Sequence, residues 1–159
     1  MNRNDVRGFS LIELLIVVAI IGIIAAIAIP NLLASRRAAN EGSAVSSLRT
    51  IHSCELTYQA TTGQGDYGTL DALKNDFLAD TVLGSGSKSG YSFVVNPSPA
   101  GTRPPTFWVT ASPLVTSGVG QTGTRRFGIA EDNVIRGDAV LLTPYTDEAD
   151  LKSAPPLKN

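Results

Sequence analysis

The sequence predicts an α+β protein in which a long N-terminal α-helix, apolar at first and then amphipathic, packs against a small antiparallel β-sheet. Residues 14 to 29 are an unbroken run of apolar residues and glycine. The chain keeps a helical composition beyond that run, and its later part holds short β-type runs between turn residues. We therefore expect a short leader at 1–8, the long helix at 9–61 and a globular domain at 62–159.

The apolar content is concentrated in one place. The chain has 159 residues and 43% hydrophobic content, which suits one modest domain and one extra element. No charged residue occurs from Leu14 to Ser35, whereas the remainder is rich in Gly, Ser, Thr and Pro. The net charge of −1 gives no reason to expect a nucleic-acid partner. Cys54 is the only cysteine, so an intrachain disulfide is impossible.

The apolar run is long enough for a signal peptide, a membrane span or a buried core helix. The rest of the chain is too small and too polar to surround it as a core. A signal peptide would end in a cleavage site, but the helical composition continues past Pro30. We therefore expect a retained membrane span at about residues 9–30. Arg3 and Arg7 precede it, which predicts a single pass with the N-terminus in the cytoplasm.

Glu13 is the exception within this apolar block, with Phe9 to Ile12 before it and Leu14 after it. A carboxylate at the centre of a membrane helix costs roughly 2.5–3.5 kcal/mol, and less near the interface. One interpretation is an acid at the membrane edge that reaches water. The other is that Glu13 acquires a cationic partner, for which a new amine at Phe9, on the same chain or on a neighbouring copy, would serve.

Residues 7 to 31, RGFSLIELLIVVAIIGIIAAIAIPN, resemble the prepilin N-terminal motif of type IV pilins and type II secretion pseudopilins. The resemblance implies that a prepilin peptidase cuts between Gly8 and Phe9 and methylates the new amine of Phe9. It also implies that Glu13 pairs with the amine of a neighbouring subunit during assembly, and that the helix kinks or locally melts at Pro30.

The same resemblance implies a pilin-like fold and a structural role without catalytic residues, cofactor or metal. The expected partners are further copies of this chain in a helical filament, the peptidase, an assembly platform and the cytoplasmic membrane. The subunit would leave the inner membrane for an extracellular pilus or, as the alternative, a periplasmic pseudopilus. A membrane-anchored binding module or enzyme is a further alternative, which would need converging polar groups within 62–159.

The helix should carry two kinds of surface. Gly22 and Ala26 have the small-xxx-small spacing that lets apolar helices approach closely, although both residues are also common in membrane helices. After Pro30, apolar residues recur at helical spacing and predict a face that docks on the globular domain. These residues are Ala44, Leu48, Ile51 and Tyr58, and Glu55 interrupts the series.

The C-terminal part predicts a turn at 61–68 and a short helix at 69–79, with Thr69 as its N-cap and with Leu70, Leu73 and Phe77 facing inward. A flexible loop should follow at 84–90. Strands are expected at 91–96, 106–112, 125–130 and 133–137, the last two forming a hairpin around Glu131 and Asp132. The expected core aromatics are Tyr91, Phe93, Trp108 and Phe127.

The last residues offer little obvious structure. Many type IV pilins close this region with a disulfide, which this chain lacks, so packing alone should hold it. Some major pseudopilins bind calcium here, and Asp132, Asp138, Asp147 and Asp150 are candidate ligands. Acidic residues in surface turns are usually just solvated, however, and we predict no metal site. Gly118 to Gly123 fit the pattern G-x-G-x-x-G, but a β-type run follows instead of a helix, so we expect a turn.

Overall fold

The structure is a computed structural model that describes residues 9–99, 101–140 and 143–157. The first helix, α1, runs from Leu11 to Ala60, close to the expected 9–61. The chain divides within α1 into two compact units, the first ending at Ser35 and the second beginning at Arg36. The expected leader at 1–8 lies outside the described residues.

The second unit confirms the α+β class. After α1 come two short helices, α2 (Leu70–Asp76) and α3 (Thr81–Gly84), then five strands and a final helix. The strands are β1 (Ser87–Lys88), β2 (Tyr91–Pro97), β3 (Phe107–Pro113), β4 (Arg126–Ala130) and β5 (Ile135–Asp138), and the last helix is α4 (Glu148–Ser153). All neighbouring strands are antiparallel and follow the chain order β1-β2-β3-β4-β5.

The inner face of the sheet packs on the second half of α1. Ala44, Leu48 and Ile51 of the helix are completely buried, as expected from their spacing. They form one cluster with alternate residues of the strands, because successive side chains of a strand point to opposite faces. The strand residues of this cluster are Tyr91, Phe93, Val95, Phe107, Val109, Ala111, Phe127, Ile129 and Ile135.

Two expectations in this unit are wrong. Trp108 faces away from α1 and packs against a second cluster that includes Ala130 and Tyr145, while its neighbour Phe107 fills the core position. A shift of one residue in a strand exchanges its faces. The segment 84–90 is not simply a flexible loop: it contains β1, and Lys88 pairs with Asp80 at 2.7 Å. The expectation that Thr69 is the N-cap of α2 is confirmed, although its side chain makes no capping hydrogen bond.

The C-terminal segment is also more ordered than its composition suggested. The N–H of Leu157 donates to the carbonyl of Ile135 at 2.9 Å, and the N–H of Gly137 donates to the carbonyl of Pro155 at 3.2 Å. Residues 155–157 therefore cover the open edge of β5. On the outer face of the sheet, Leu151 of α4 lies over Gly128, where a Cβ atom would come within 2.5 Å of the leucine side chain.

Arg126 fastens this segment to the sheet. Its guanidinium is buried and donates to both carboxylate oxygens of Asp138, at 2.9 and 3.1 Å. It also donates to the carbonyls of Thr143 and Pro144, at 3.1 and 3.0 Å, and lies 3.9 Å from the ring centroid of Tyr145. Five donors in a planar fork allow one arginine to join β4, β5 and the C-terminal segment, which has no disulfide because Cys54 is the only cysteine of the sequence.

Removing this guanidinium should destabilise the second unit strongly. We expect Arg126→Ala to lower the free energy of unfolding by about 3–5 kcal/mol, because Asp138 is left partly buried without its partner. The measurement is thermal unfolding of the full chain in detergent, together with proteolysis of residues 143–157. Arg103→Ala is the matched control: its pair with Asp66 is exposed and should contribute under about 1 kcal/mol. Equal losses in both variants would contradict the assigned role of Arg126.

Glu55 lies on the buried face of α1, although it breaks the apolar pattern. Its side chain is fully buried, and one carboxylate oxygen accepts from the N–H of Gly68 at 2.9 Å. The other oxygen has no hydrogen-bond partner among the described residues. Burial raises the pKa of Glu55 to about 7, although the bond from Gly68 opposes this shift. The carboxyl group fixes the turn that follows α1, and its ionisation lowers stability.

This burial predicts a pH dependence of folding. In the unfolded chain Glu55 ionises near pH 4.5, whereas in the folded chain it ionises near pH 7. The contribution of Glu55 to stability should therefore be greatest below pH 4.5, fall as the pH rises through 7 and then level off, with a total loss of about 3 kcal/mol. Glu55→Gln should remove this loss in denaturant unfolding at pH 5 and pH 8. The exposed acid Asp76 provides the control, since Asp76→Asn should leave the pH dependence unchanged.

Candidate filament-assembly site

The first unit presents a long stretch of apolar side chains that are not buried among the described residues. The most apolar stretch of α1 has a mean hydropathy of 3.1 over eighteen residues, none of them buried. By length and composition it is the one helix among the described residues that can cross a membrane. The backbone groups of such a helix bond to one another, which is the condition for entering lipid. Its side chains therefore need lipid or another apolar helix as their surroundings.

Glu13 lies in the first turn of this helix, not in its middle. Phe9 and Ser10 precede the helix, and α1 begins at Leu11. The N–H of Ser10 donates to a carboxylate oxygen of Glu13 at 3.0 Å, and the N–H of Leu14 donates to the carbonyl of Ser10 at 3.2 Å. This is one half of a capping box, in which the third helical residue satisfies the N–H of the N-cap residue. The carboxylate also interacts favourably with the positive end of the helix dipole.

Ser10 is the residue that the sequence interpretation missed. The pattern Ser10-Leu-Ile-Glu13 is S-x-x-E directly before an apolar run, which predicts a helix start at this serine. Within the described residues, the acid therefore has a hydrogen-bond donor of its own but no ion-pair partner. Phe9, next to it, is 79% exposed. The structure places Phe9, Ser10 and Glu13 together at one helix end; Gly8 lies outside the described residues.

Pro30 lies within α1, which stays helical on both sides of it. A proline has no N–H, so the carbonyl of Ala26 lacks its usual helical hydrogen bond. The kink expected at this position stays a prediction. One turn before Ala26, Gly22 has open space around its Cβ position among the described residues, and Ala26 itself is exposed.

The sequence comparisons address this same end of the chain. The prokaryotic N-terminal methylation motif matches residues 3–29. The type IV wide pilus major component PilA4 of Thermus thermophilus is 34% identical over 126 residues, which cover 76% of this chain and 91% of that protein. The chain belongs to the type IV pilin and pseudopilin family.

This pilin-family chain is similar both to type IV pilins and to type II secretion proteins. The type IV major pilin protein PilA of Myxococcus xanthus is 46% identical over 52 residues, or 33% of this chain and 24% of that protein. The type II secretion system core protein G of Aeromonas hydrophila is 33% identical over 97 residues, or 57% of this chain and 65% of that protein. No solved structure matches. The family is therefore assigned, and both of its branches are represented.

A substitution that removes the charge of Glu13 but keeps its hydrogen-bond acceptor should separate helix capping from assembly in this pilin-family chain. Glutamine at the same helical position still accepts a hydrogen bond from the N–H of Ser10. We therefore expect Glu13→Gln to insert into the membrane normally but to lower filament yield by about tenfold or more, since losing about 1.4 kcal/mol per association step has that effect. The measurements are alkaline extraction of membranes and quantification of sheared filaments.

Glu13→Asp is the matched variant for this test, because it keeps the charge on a shorter side chain. It should recover part of the filament yield. Normal yield from Glu13→Gln would show that the carboxylate charge has no part in assembly.

Proposed function

We propose that this chain is a structural subunit of a type IV pilus, stored in the inner membrane and polymerised through its apolar helix. The observation that carries the proposal is the uncharged helical segment from Leu14 to Ser35, in which no residue is buried and which Glu13 directly precedes. Burying about 1,000 Å² of such surface contributes roughly 25 kcal/mol before the costs of association. Assembly into a fibre provides that burial when the helix leaves the lipid.

The proposed processing creates the missing positive charge. Cleavage between Gly8 and Phe9 by a prepilin peptidase would give Phe9 an α-amino group, which N-methylation leaves cationic. Phe9 and Glu13 are four residues apart, so the amine can approach the carboxylate of its own chain or of a neighbour. An ion pair with a neighbour relieves the cost of a carboxylate in an apolar filament core and sets the axial register between copies.

Pro30 supports the same proposal. A helix packed among copies of itself must fit their spacing, and a missing backbone hydrogen bond at Ala26 lets α1 bend locally or unwind. The remaining proposed partners are an assembly platform in the inner membrane and other copies of the chain in a helical filament. No catalytic residue, cofactor, metal or nucleic acid enters the proposed function.

The alternative is a pseudopilin, the subunit of a short periplasmic filament of type II secretion. The similarity to core protein G favours it, although that match spans 65% of the relative, against 91% for the pilus component. The greater coverage is the reason to place the pilus first. Both functions use the same N-terminal chemistry and differ in where the filament ends.

Two measurements test the proposal. The intact mass of the protein isolated from its own cells should show loss of residues 1–8 and gain of one methyl group. Gly8→Leu should leave the heavier precursor in the membrane, because the peptidase cleaves after a residue without a side chain, whereas Asn4→Ala should be processed normally. Wild-type protein that still carries Met1 to Gly8 would overturn the proposal.

Electron microscopy then separates the two branches. Cells lacking the protein should lose surface filaments if it is the pilus subunit. Retained filaments together with a loss of protein secretion would establish the pseudopilin alternative instead.

A further inference from the structure

The loop at residues 114–124 has an unusual surface for an exposed segment. It contains no charged residue. Three of its apolar side chains are exposed, Leu114 by 57%, Val115 by 43% and Val119 by 79%. An exposed apolar group on a loop without charges is typical of a surface that contacts something apolar.

The loop holds a defined shape. The N–H of Thr122 donates to the carbonyl of Val115 at 3.0 Å, and the N–H of Val115 donates to the hydroxyl of Thr122 at 3.2 Å, which closes the loop at its base. At the tip, the N–H of Gln121 donates to the carbonyl of Gly118 at 3.2 Å. Gly118 has a φ of +78°, which favours glycine. The turn presents Val119 to the outside.

Hydrogen bonds attach this loop to the start of the second unit. Glu41 accepts from the N–H of Thr124 at 2.7 Å, and Asn40 donates to the carbonyl of Thr122 at 2.9 Å. Arg37 donates to the side chain of Gln121 at 2.9 Å. From Thr124 back to Gln121, the contacts of the loop therefore move along α1 from Glu41 to Arg37, that is, towards the N-terminal end of the second unit.

That end of the unit is where a membrane span would finish. The uncharged stretch from Leu14 to Ser35 has a helical length of about 33 Å at 1.5 Å per residue, close to the roughly 30 Å hydrocarbon thickness of a bilayer. Arg36 and Arg37 follow at once. They would lie at the level of the lipid headgroups, and the loop is bonded to the helix within the next turn.

The charges in this region suit an anionic surface. Arg36 is exposed, and no side-chain hydrogen bond or ion pair to it is found in the described part of the chain. The nearby carboxylate of Glu41 is occupied by Arg125, at 3.1 and 2.9 Å, and by Thr124. Burial opposes ionisation of Glu41, but these bonds prevail and hold its pKa below the usual range. The acid is thus neutralised and does not repel lipid phosphate.

We propose that the loop at 114–124 and Arg36 form a membrane-contact surface that rests on the outer leaflet while the subunit is stored. Val119 and Leu114 enter the boundary between headgroups and acyl chains, and Arg36 pairs with a lipid phosphate. This inference depends on the proposed function, because it takes residues 14–35 as the membrane span. It shifts that span by five residues from the 9–30 expected from the sequence.

The test uses the full chain with Cys54→Ala, reconstituted into vesicles of phosphatidylcholine and phosphatidylglycerol. A polarity-sensitive fluorophore is attached at Val119→Cys, at Val82→Cys or at Ile20→Cys. Val82 is the matched apolar control, because it is 58% exposed on α3. Val82 also lies away from the loop. The carbonyl of Phe77, in the segment before α3, accepts a hydrogen bond from Cys54 of α1, and Cys54 lies about 20 Å along the helix from Asn40, which contacts the loop. Lipids with nitroxide groups near the headgroup or deep in the acyl chains serve as quenchers.

We expect shallow quenchers to act several-fold more strongly at position 119 than at 82, and deep quenchers to act at 20. Equal quenching at 119 and 82, with 20 still quenched, would overturn the membrane contact but leave the span intact. Absence of quenching at 20 would overturn both the span and the contact. If protection at 119 rises with the protein-to-lipid ratio and not with lipid type, the loop contacts a second copy, which also overturns the inference.

A second variant tests the role of Arg36. Arg36→Gln should abolish the increase in quenching at 119 that phosphatidylglycerol produces over phosphatidylcholine alone. Arg49→Gln, which removes another exposed charge of α1, should retain it. Both variants should unfold at the wild-type temperature, so that a lost response reports lipid pairing and not misfolding. A full response in Arg36→Gln would remove this residue from the contact.

Discussion

The first unit imposes one constraint on the whole molecule: its apolar side chains must always be covered by something outside the chain. The backbone of that segment satisfies itself through helical hydrogen bonds, so it can pass from lipid to a protein environment without losing polar contacts. Its side chains cannot face water at either stage. The only acid between Phe9 and Ser35, Glu13, lies where the helix begins and where a main-chain N–H already donates to it. The segment is thus suited to two apolar surroundings in succession.

The second unit must fold without help from that segment. It does so by using the rest of α1 as the middle of its own core, with Ala44, Leu48 and Ile51 under the sheet. Polar groups on the same helix then secure what the apolar contacts do not reach: Glu41 holds the residues before β4, and Glu55 holds the turn after α1. On the opposite face of the sheet, Arg126 joins the C-terminal segment to β4 and β5. Three buried charged or polar side chains therefore provide much of the attachment between elements.

Local patterns were sufficient to predict the main elements. The long helix ended within two residues of its predicted limits, and each of the four predicted strands overlaps an observed one, because apolar spacing and turn residues are local signals. The exchange of Trp108 for Phe107 in the core arose because both are large aromatics in consecutive positions, and pairing with neighbouring strands decides which one faces α1. β1 (Ser87–Lys88) was hidden by the glycines and serines that flank it. The roles of Arg126 and Glu55 depend on partners distant in sequence, which no local pattern identifies, whereas the Ser10–Glu13 cap was visible in the sequence and overlooked.

The strand order has a consequence for how the chain is made. Each strand lies beside the strand that precedes it in the sequence, so no strand must wait for a later one to be synthesised before it can pair. Loops between neighbours close quickly compared with long-range connections, and domains can fold progressively from the N-terminus during synthesis. Arg126 would stay without its contacts to Thr143, Pro144 and Tyr145 until the last twenty or so residues emerge, which makes completion of the C-terminus the step that closes the fold.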